Sequence, residues 1–497
     1  MIRSSHRSFR NSKLVALYLA GLLAAGGLRA DAQETARPRW HQAEKDNGMI
    51  RPLTSARTDD GTNTNAIESE AAAVVTIDTT KKYQTINGFG GAFTEAACCV
   101  FSKMPPGKRQ ELFQQLFGQG GDSLGLNLCR TCIGSSDYAT KIYSYDDGRP
   151  DPELKRFSIA PDRAYVLPML KEALAINPDI FLFASPWSPP GWMKANNSML
   201  GGSMRRKYME SYAHYFAKYL SAYKAEGISI KAVTVQNEVD TEQDGRMPAC
   251  AWPQEYEVDF VRLYLGPLFK KEGIKTQIWI IDHNFNLWGR ALSSLELPDF
   301  RSFVSAVAWH GYVGEAFRMS TVHEAYPQFA AYWTEGGPDI SDPNYRTDWC
   351  KWARTFSENL NNWASGITVW NLALNEKGKP NIGPFPCGGL VTINSRDNAL
   401  TLSGQYKALS HFSRFIESGA VRVDSRVESG TDSEANKDAS RSMSKVNLNA
   451  LACLNNDGSK VLVLTNSGAA CKVTIREGTR SCSVALPANS LETLVWN

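Results

Sequence analysis

Short hydrophobic runs alternate with helical patterns from residue 83 to about residue 376. Eight runs rich in β-branched and aromatic residues end in polar or glycine-rich loops: Gln84–Gly88, Leu126–Arg130, Ile180–Ala184, Ala232–Val235, Gln277–Ile281, Ala306–Trp309, Ala330–Trp333 and Gly366–Trp370. The helical spacing is clearest in Met204–Gly227, where tyrosines recur every three or four residues. This stripe is typical of an amphipathic helix that packs on a sheet. Eight strands alternating with helices predict an α/β fold, a (β/α)8 TIM barrel over residues 83–410.

The pattern changes after about residue 411, where strand-like runs follow one another without helices. They are Val421–Val427, Val446–Leu454, Lys460–Leu464, Cys471–Ile475, Cys482–Leu486 and Glu492–Trp496. Asp457-Gly458 between two of them is a strong hairpin signal. We predict an additional all-β sandwich domain over residues 411–497, joined by an early strand at residues 71–82 that needs a sheet partner. The polar residues 33–70 lack periodicity and predict a flexible linker.

Residues 1–32 have the pattern of a cleaved secretory signal peptide. Basic residues precede the apolar run Leu14–Leu28, and Ala30-Asp31-Ala32 supplies a small-residue cleavage site. The run falls short of the ~20 apolar residues that span a bilayer. We therefore expect a secreted or periplasmic protein with no integral membrane segment in the mature chain, and an uncleaved anchor is the alternative.

Composition and charge exclude some classes of partner. The net charge of +3 is too small to indicate nucleic-acid binding. The seven histidines show no ligand spacing, and Cys129-x-x-Cys132 has no second pair, so we predict neither a metal site nor a cofactor. In an exported chain the cysteines permit disulfides. We expect Cys129 and Cys132 to pack or form a bridge, and Cys453, Cys471 and Cys482 to offer one bridge.

Two glutamates stand where predicted barrel strands end. The fourth run leads into Asn237-Glu238, and the seventh leads into Thr334-Glu335. Because barrel strands end at one rim, both carboxyl groups should face one cavity. Glycoside hydrolysis uses such a pair, with one carboxylic acid that protonates the leaving oxygen and one carboxylate that attacks the anomeric carbon, ~5–5.5 Å apart in retaining enzymes. For either glutamate alone, a solvated loop position is the alternative.

The segments around these glutamates resemble glycoside hydrolase family 30, and within it the glucosylceramidases. The likeness runs from about Gln84 to Trp496, with seven segments in family order: GFGGAFTEAA (Gly88–Ala97), LCRTCIGSSDYA (Leu128–Ala139), ASPWSPPGWMK (Ala184–Lys194), VQNE (Val235–Glu238), WHGY (Trp309–Tyr312), WTEGG (Trp333–Gly337) and VWNLALNEKGKPN (Val369–Asn381). The resemblance implies a retaining β-glycosidase that needs no metal or organic cofactor.

Roles for individual residues follow from the resemblance. It implies Glu238 as the acid/base and Glu335 as the nucleophile. Asn237 would hydrogen-bond the sugar 2-hydroxyl, an interaction that strengthens in the transition state. Asp137 and Trp187 would hold hydroxyls on the far edge of the glucose, with a turn residue and a core aromatic as the respective alternatives.

Four further residues would complete the site. By the same resemblance, Trp370 would form an aromatic wall of the −1 subsite, and Tyr312 would hydrogen-bond the nucleophile. Arg130 would help to keep the nucleophile ionised, and His310 would support it as a neighbouring polar group. Pairing with a structural carboxylate is the alternative for Arg130, and a satisfied core histidine is the alternative for His310.

The sequence departs from the family pattern at three places. Val239 replaces a frequent proline after the acid/base, Gly336-Gly337 replaces bulkier residues after the nucleophile, and Ile382–Gly388 differs from the animal lysosomal enzymes. We expect a small-molecule glycoside or glycolipid substrate, first glucosylceramide or a related β-glucosyl lipid. The alternatives are a β-1,6-glucan or a β-xyloside, and a carbohydrate-binding protein without catalytic activity is the alternative from another class.

Overall fold

The computed structural model describes residues 54–59, 73–429 and 447–497. The predicted signal peptide (residues 1–32) and most of the predicted linker (residues 33–70) lie outside these ranges. The strands in chain order are β1 (Thr54–Thr58), β2 (Ala73–Thr85), β3 (Gly88–Phe93), β4 (Leu128–Ile133), β5 (Phe181–Pro186), β6 (Ile230–Thr234), β7 (Gln277–Asn284), β8 (Val304–His310), β9 (Ala330–Glu335), β10 (Ala364–Val369), β11 (Ala373–Asn375), β12 (Val391–Ile393), β13 (Leu400–Leu402), β14 (Val421–Ser429), β15 (Leu448–Leu454), β16 (Lys460–Asn466), β17 (Cys471–Glu477), β18 (Arg480–Leu486) and β19 (Ser490–Trp496).

Helices separate the strands of the first domain. They are α1 (Glu95–Ser102), α2 (Pro106–Phe117), α3 (Val166–Ile176), α4 (Met209–Ala225), α5 (Gln254–Asp259), α6 (Gly266–Glu272), α7 (Trp288–Leu295), α8 (Pro298–Arg301), α9 (Phe317–Ala325), α10 (Trp349–Asn361) and α11 (Gly404–Ser413), with a π-helical turn at Phe260–Leu265 between α5 and α6. The predicted tyrosine stripe lies on α4 and the turn before it. All five of its rings are buried: Tyr208, Tyr212, Tyr215, Tyr219 and Tyr223. The prediction of a structural role for this stripe is confirmed.

Eight parallel strands close into a barrel in the order β10-β3-β4-β5-β6-β7-β8-β9. This confirms the predicted (β/α)8 fold, and seven of the strands lie within a few residues of the predicted runs. The first prediction is displaced, because Gln84 and Thr85 belong to β2 and the barrel strand begins at Gly88. A short sheet in the order β11-β12-β13 follows the last barrel strand and was not predicted.

The glycines of β3 allow the first and second barrel strands to approach closely. A Cβ atom on Gly90 would lie 1.9 Å from the carbonyl oxygen of Leu128, and one on Gly91 would lie 2.7 Å from Leu372. Gly88–Gly91 therefore belong to the strand itself, whereas the predicted run ended at Gly88. Because glycines lack the β-branched side chains that favour strands, the sequence pattern did not predict a strand at these residues.

The second domain is a β-sandwich formed by one eight-stranded sheet, in the order β1-β19-β16-β15-β14-β2-β17-β18. Neighbouring strands are antiparallel except for β2 and β17, which are parallel. The two faces alternate along each strand, as the pleat requires. In β15, Ala450 and Ala452 pack inside the sandwich, whereas Leu451 and Cys453 pack in the core shared with the barrel. Asp457-Gly458 forms the predicted hairpin turn between β15 and β16, with Gly458 at φ +87°.

Two domain boundaries differ from the prediction. The helix α11 extends past residue 411, so the sandwich strands resume only at Val421. Thr54–Thr58 falls in the predicted flexible linker but pairs antiparallel with β19. Arg57 anchors this strand, because its Nε lies 2.5 Å from Oε2 of the buried Glu492.

The expected disulfides are absent from the part of the chain that the structure describes, which includes every cysteine. Cys453, Cys471 and Cys482 are buried thiols on separate strands, and Cys129 and Cys132 are buried in β4. The two cysteines of the Cys-x-x-Cys pair are therefore packed in this strand and not bridged to each other. No helix among the described residues is both long and apolar enough to cross a membrane.

Replacing Phe412 with Ala should destabilise the protein, because its ring is fully buried where α11 meets the barrel. It packs against Phe89 and Phe356, with ring centroids 6.2 and 5.7 Å away. Phe→Ala changes in cores cost about 3–5 kcal/mol, so the thermal unfolding midpoint should fall by several degrees. Phe415→Ala, a matched change at a partly buried ring, should lower it much less. Equal shifts for the two variants would contradict the assigned packing.

Candidate active site

The carboxyl ends of the barrel strands surround a cavity of about 650 Å³. Seven of the nine predicted site residues line it: Asp137, Trp187, Asn237, Glu238, Tyr312, Glu335 and Trp370. The other two, Arg130 on β4 and His310 at the end of β8, are fully buried beneath its floor. The fold therefore brings all nine residues together, although they span more than 200 positions of sequence.

Glu238 and Glu335 face each other across this cavity. A carboxylate oxygen of each lies within 4.8 Å of one on the other, with a nitrogen of His310 inside the same radius. Glu335 ends β9 and is 6% exposed. Its Oε2 accepts a hydrogen bond of 2.6 Å from Nη1 of Arg130, and its Oε1 accepts one of 3.1 Å from the Tyr312 hydroxyl.

Arg130 links Glu335 to a second buried carboxylate. Its Nη2 donates to Oδ2 of Asp282 at 2.7 Å and to Oδ1 of Asn237 at 2.8 Å. The guanidinium also lies 4.7 Å from the ring centroid of Trp187, on which it stacks. Arg130 thus pairs with a structural carboxylate and with the predicted nucleophile at once.

Asp282 lies at the centre of this hydrogen-bond network, and the sequence analysis did not single it out. Its carboxylate accepts hydrogen bonds from three hydroxyls: Ser185 at 2.8 Å, Thr234 at 2.7 Å and Thr334 at 2.7 Å. Nε2 of His310 lies 3.1 Å from its Oδ1. Although burial opposes ionisation, the charge on Arg130 and these hydrogen bonds hold the pKa of Asp282 well below its usual range.

Glu238 follows β6 in a backbone conformation that is rare for residues other than glycine, with φ +57°. Its backbone N–H donates to the carbonyl oxygen of Asp282 at 2.9 Å, and Gln243 Nε2 donates to its Oε2 at 2.6 Å. Val239, which replaces the frequent proline, is fully buried, and its carbonyl accepts from the backbone of Trp252. These contacts fix Glu238 without a proline.

Two imidazoles face the remaining oxygen of Glu238. Nδ1 of His310 lies 3.4 Å from its Oε1, and Nε2 of His283 lies 3.6 Å from the same atom. Although burial disfavours the imidazolium, the carboxylates of Glu335, Asp282 and Glu238 raise the pKa of His310 to about 9. One proton is therefore shared within this coupled group, and it can reside on His310 or on Glu238 without changing the net charge.

The two glutamates differ in what surrounds them. Burial raises the pKa of Glu335, and the charges on His310 and Arg130 oppose this rise. For Glu238, burial is outweighed by the close approach of His310 and by the charges on both imidazoles, which lower its pKa. The surroundings of the two glutamates therefore shift their pKa values in opposite directions.

Aromatic rings form one wall of the cavity. Trp187 and Trp370 stack with centroids 5.0 Å apart, and Tyr138 meets Trp370 edge to face. Beside them Asp137 is 4% exposed, and its Oδ1 receives no hydrogen bond from the described residues. Burial and the charges on Glu335 and Glu238 raise the pKa of Asp137. An acceptor beside flat aromatic faces suits a sugar ring with hydroxyls at its edge.

The loop between β11 and β12 forms part of the rim of the cavity. Phe385 is 40% exposed at the mouth, and its carbonyl accepts hydrogen bonds from the Tyr138 hydroxyl and the Asn381 side chain. After the predicted nucleophile, a Cβ atom on Gly336 would lie 2.2 Å from the Trp333 ring. Glycine is thus needed there for close packing of the floor, and the bulkier residues of the animal enzymes would not fit without a shift.

The trio of Glu238, His310 and Glu335 is close enough to hold a metal ion. The guanidinium of Arg130 lies 2.6 Å from Glu335 and is wholly buried, so a fixed positive charge already occupies one side of the trio. A cation at this position would be repelled at short range. The donor set fits acid–base and nucleophilic chemistry by the carboxylates better than it fits a metal.

Two family profiles match the chain: the glycosyl hydrolase family 30 TIM-barrel domain over residues 86–416 and the family 30 beta sandwich domain over residues 419–494. The chain belongs to glycoside hydrolase family 30. The family prediction is therefore confirmed, and the protein is an O-glycosyl hydrolase that acts on a carbohydrate substrate.

This family 30 enzyme is similar to relatives of two kinds. It is 34% identical to an endo-1,6-beta-D-glucanase of Neurospora crassa, over 79% of this chain and 81% of the relative. It is 30% identical to putative glucosylceramidase 4 of Caenorhabditis elegans, over 80% of this chain and 78% of the relative. Among solved structures, an endo-beta1,6-glucanase superposes with a TM-score of 0.76 at 29% identity, over 86% of this chain and 96% of that one.

Several cavity residues of this family 30 enzyme were missed by the sequence analysis. His283 lies near the end of the fifth barrel strand and Asp240 and Gln243 follow Glu238 in its loop, while Asp282 is buried beneath the cavity. The signal was present in the polar triplet Asp282-His283-Asn284, which directly follows a hydrophobic run. Polar residues at this strand end face the cavity for the same reason as Glu238 and Glu335, because the carboxyl ends of barrel strands form the active-site rim.

Replacing His310 with Gln should change how stability depends on pH. The folded-state pKa of His310 is raised to about 9 from an ordinary value of 6.5, so it stabilises the fold fully below pH 6.5. This stabilisation, up to about 3 kcal/mol, is lost as the pH rises through 9. We expect the free energies of unfolding of the wild type and His310→Gln to converge between pH 6.5 and 9, measured by chemical denaturation. A difference that does not change with pH would contradict the assigned charge.

Proposed function

We propose that this enzyme hydrolyses β-1,6-glucosidic bonds in glucans by double displacement, with retention of configuration. The distance between the two catalytic carboxylates is the main evidence for a retaining mechanism. Oxygens of Glu238 and Glu335 lie within 4.8 Å, which suits the ~5–5.5 Å carboxyl spacing of retaining enzymes and leaves no room for the water that an inverting enzyme needs.

Glu335 is the nucleophile in this proposal. Its hydrogen bonds from Arg130 and Tyr312 favour the ionised form and hold the carboxylate at the cavity floor. The carboxylate attacks the anomeric carbon while the bond to the leaving oxygen breaks, and a covalent glycosyl-enzyme forms. As the attack neutralises Glu335, the positive charge of Arg130 remains balanced by Asp282.

Glu238 is the acid/base. When substrate fills the cavity and displaces water, the neutral form of Glu238 is favoured, and the proton shared with His310 can move across the 3.4 Å to Glu238. Glu238 gives this proton to the leaving oxygen. In the second step it takes a proton from the water that attacks the glycosyl-enzyme, so the starting protonation state is restored.

The sugar-binding roles are also proposed. Asn237 contacts the 2-hydroxyl, because Arg130 holds its Oδ1 and leaves the amide nitrogen for the cavity. Asp137 accepts hydrogen bonds from hydroxyls at the far edge, and Trp187 and Trp370 form the apolar wall. An unpaired buried acceptor at Asp137 would discriminate against sugars that lack those hydroxyls.

The choice of substrate follows the named activities of the relatives. The Neurospora crassa relative and the structural neighbour are both named as 1,6-glucanases, which supports the alternative from the sequence analysis over glucosylceramide. Glucosylceramide is the second candidate, because a 30% identical relative is named as a putative glucosylceramidase. We also propose that the protein is exported, on the pattern of residues 1–32.

Replacing Glu335 with Gln should lower kcat by several orders of magnitude, because the attacking carboxylate is lost while the shape of the site is kept. Glu238→Ala should be slow on glucan, and azide should restore its activity on an activated aryl glucoside by attacking the glycosyl-enzyme without a base. The product should be the β-glycosyl azide, identified by NMR. Near-normal turnover by Glu335→Gln would show that the nucleophile is wrongly assigned.

A substrate panel should separate the two candidate activities. Purified wild-type enzyme should release reducing sugar from β-1,6-glucan with a kcat/KM at least about ten times that for fluorescent glucosylceramide in detergent micelles, a difference of about 1.4 kcal/mol in transition-state binding. Glu335→Gln serves as the control for contaminating activity. Turnover of the lipid without cleavage of the glucan would reject the glucan proposal and leave the retaining mechanism in place.

A further inference from the structure

A second histidine, which neighbours His310, reaches the same oxygen of the proposed acid/base. His283 lies on β7, and its Nε2 is 3.6 Å from Oε1 of Glu238. Its Nδ1 is 2.5 Å from Oδ1 of Asp240, two residues beyond Glu238 in the same loop. Asp240, His283 and Glu238 therefore form a continuous chain of carboxylate, imidazole and carboxylate.

The arrangement around His283 parallels the one around His310, but its exposure differs. Each imidazole places one nitrogen near Oε1 of Glu238 and the other near a carboxylate, Asp282 for His310 and Asp240 for His283. The His310 and Asp282 side chains are wholly buried, whereas Asp240 is 36% exposed and lines the cavity. Of these two chains, the one through His283 is the one in contact with the solvent of the cavity.

The charged and titratable groups around His283 come from three elements. Glu238 and Asp240 belong to the loop after β6, and His310 at the end of β8 meets its ring edge to face at 5.8 Å. Arg290 on α7 acts on Asp240, where its charge helps, with His283, to lower the carboxyl pKa against the effect of burial. Asp240 is therefore ionised. Although burial opposes ionisation of Glu238, the positive charge on His283 lowers the pKa of this carboxyl group as well.

We propose that His283, held by Asp240, is a positioning residue that fixes Oε1 of Glu238 and sets the pH at which this acid/base is protonated. The inference depends on the proposed role of Glu238. The imidazole at Oε1 and the Gln243 amide at Oε2 together hold the carboxyl group of Glu238 in one orientation toward the leaving group. The imidazole also favours the carboxylate form of Glu238, so the acid form is retained only up to a lower pH than without it.

Replacement of His283 with Gln gives the test, with His214→Gln as the matched control at an exposed position on the outer face of α4. The substrates are two aryl β-1,6-glucobiosides with the same sugar, one with a 2,4-dinitrophenolate leaving group and one with a phenolate. Departure of dinitrophenolate needs no proton, whereas departure of phenolate does. Because kcat/KM reports the first chemical step, the ratio between the two substrates isolates acid catalysis from folding and binding.

For His283→Gln we expect kcat/KM on the phenyl substrate to fall by about tenfold or more, within the range of general acid catalysis. On the dinitrophenyl substrate it should stay within about twofold of the wild type. The alkaline limb of the pH profile for the phenyl substrate should move to higher pH, because Glu238 then stays protonated up to a higher pH. Asp240→Asn should shift both measurements in the same direction by a smaller amount.

Equal losses on both substrates with an unmoved alkaline limb would overturn the inference and assign His283 a structural role. Unchanged kinetics on both substrates would overturn it as well. Glu238→Ala, assayed in parallel with azide, tests the acid/base assignment of Glu238 separately from the role of His283. If azide rescues Glu238→Ala but His283→Gln shows no dependence on the leaving group, the acid/base assignment stands and the inference about His283 alone is wrong.

Discussion

The site depends on one buried cation placed between two carboxylates. Arg130 is fully buried and donates to Asp282 at 2.7 Å and to Glu335 at 2.6 Å. Removing one partner from a buried ion pair costs about 3–5 kcal/mol, because the charge that remains is uncompensated. Neither carboxylate could be kept ionised in the floor of the barrel without this arginine, and an ionised Glu335 is what the proposed chemistry requires.

This constraint explains the polar layer beneath the cavity. Three hydroxyls and one imidazole converge on Asp282, and together with Arg130 they leave its oxygens fully hydrogen-bonded. The network joins several barrel strands, so the same contacts that satisfy a buried charge also orient the strand ends. Function at the rim and stability of the barrel floor are therefore coupled: a change in the floor alters the charge on Glu335 and His310 as well as the packing.

The sequence predicted the regular features and missed the exceptions. Strand ends after β-branched runs predicted Glu238 and Glu335, because hydrophobic periodicity and the barrel rim determine where such residues meet. Strand β3 was not predicted at its true position, because the close contact between strands at Gly90 excludes a side chain and so removes the β-branched pattern. His283 was missed because the hydrophobic run ends at Ile281, whereas the strand continues to Asn284 through two residues with positive φ. Strand β1 is a short polar segment whose pairing with β19 no local pattern reveals.

The identity of the covalently attacked residue tests the account most directly. In a 2-deoxy-2-fluoro β-glucoside the fluorine slows both steps, because it removes the 2-hydroxyl contact that stabilises both transition states. An activated leaving group restores the rate of the first step, so the glycosyl-enzyme accumulates. Peptide mass spectrometry of the trapped enzyme should place the sugar on Glu335, and the label should be lost slowly in buffer. Labelling of a different side chain, or release of an inverted product without any trapped intermediate, would contradict the proposed mechanism.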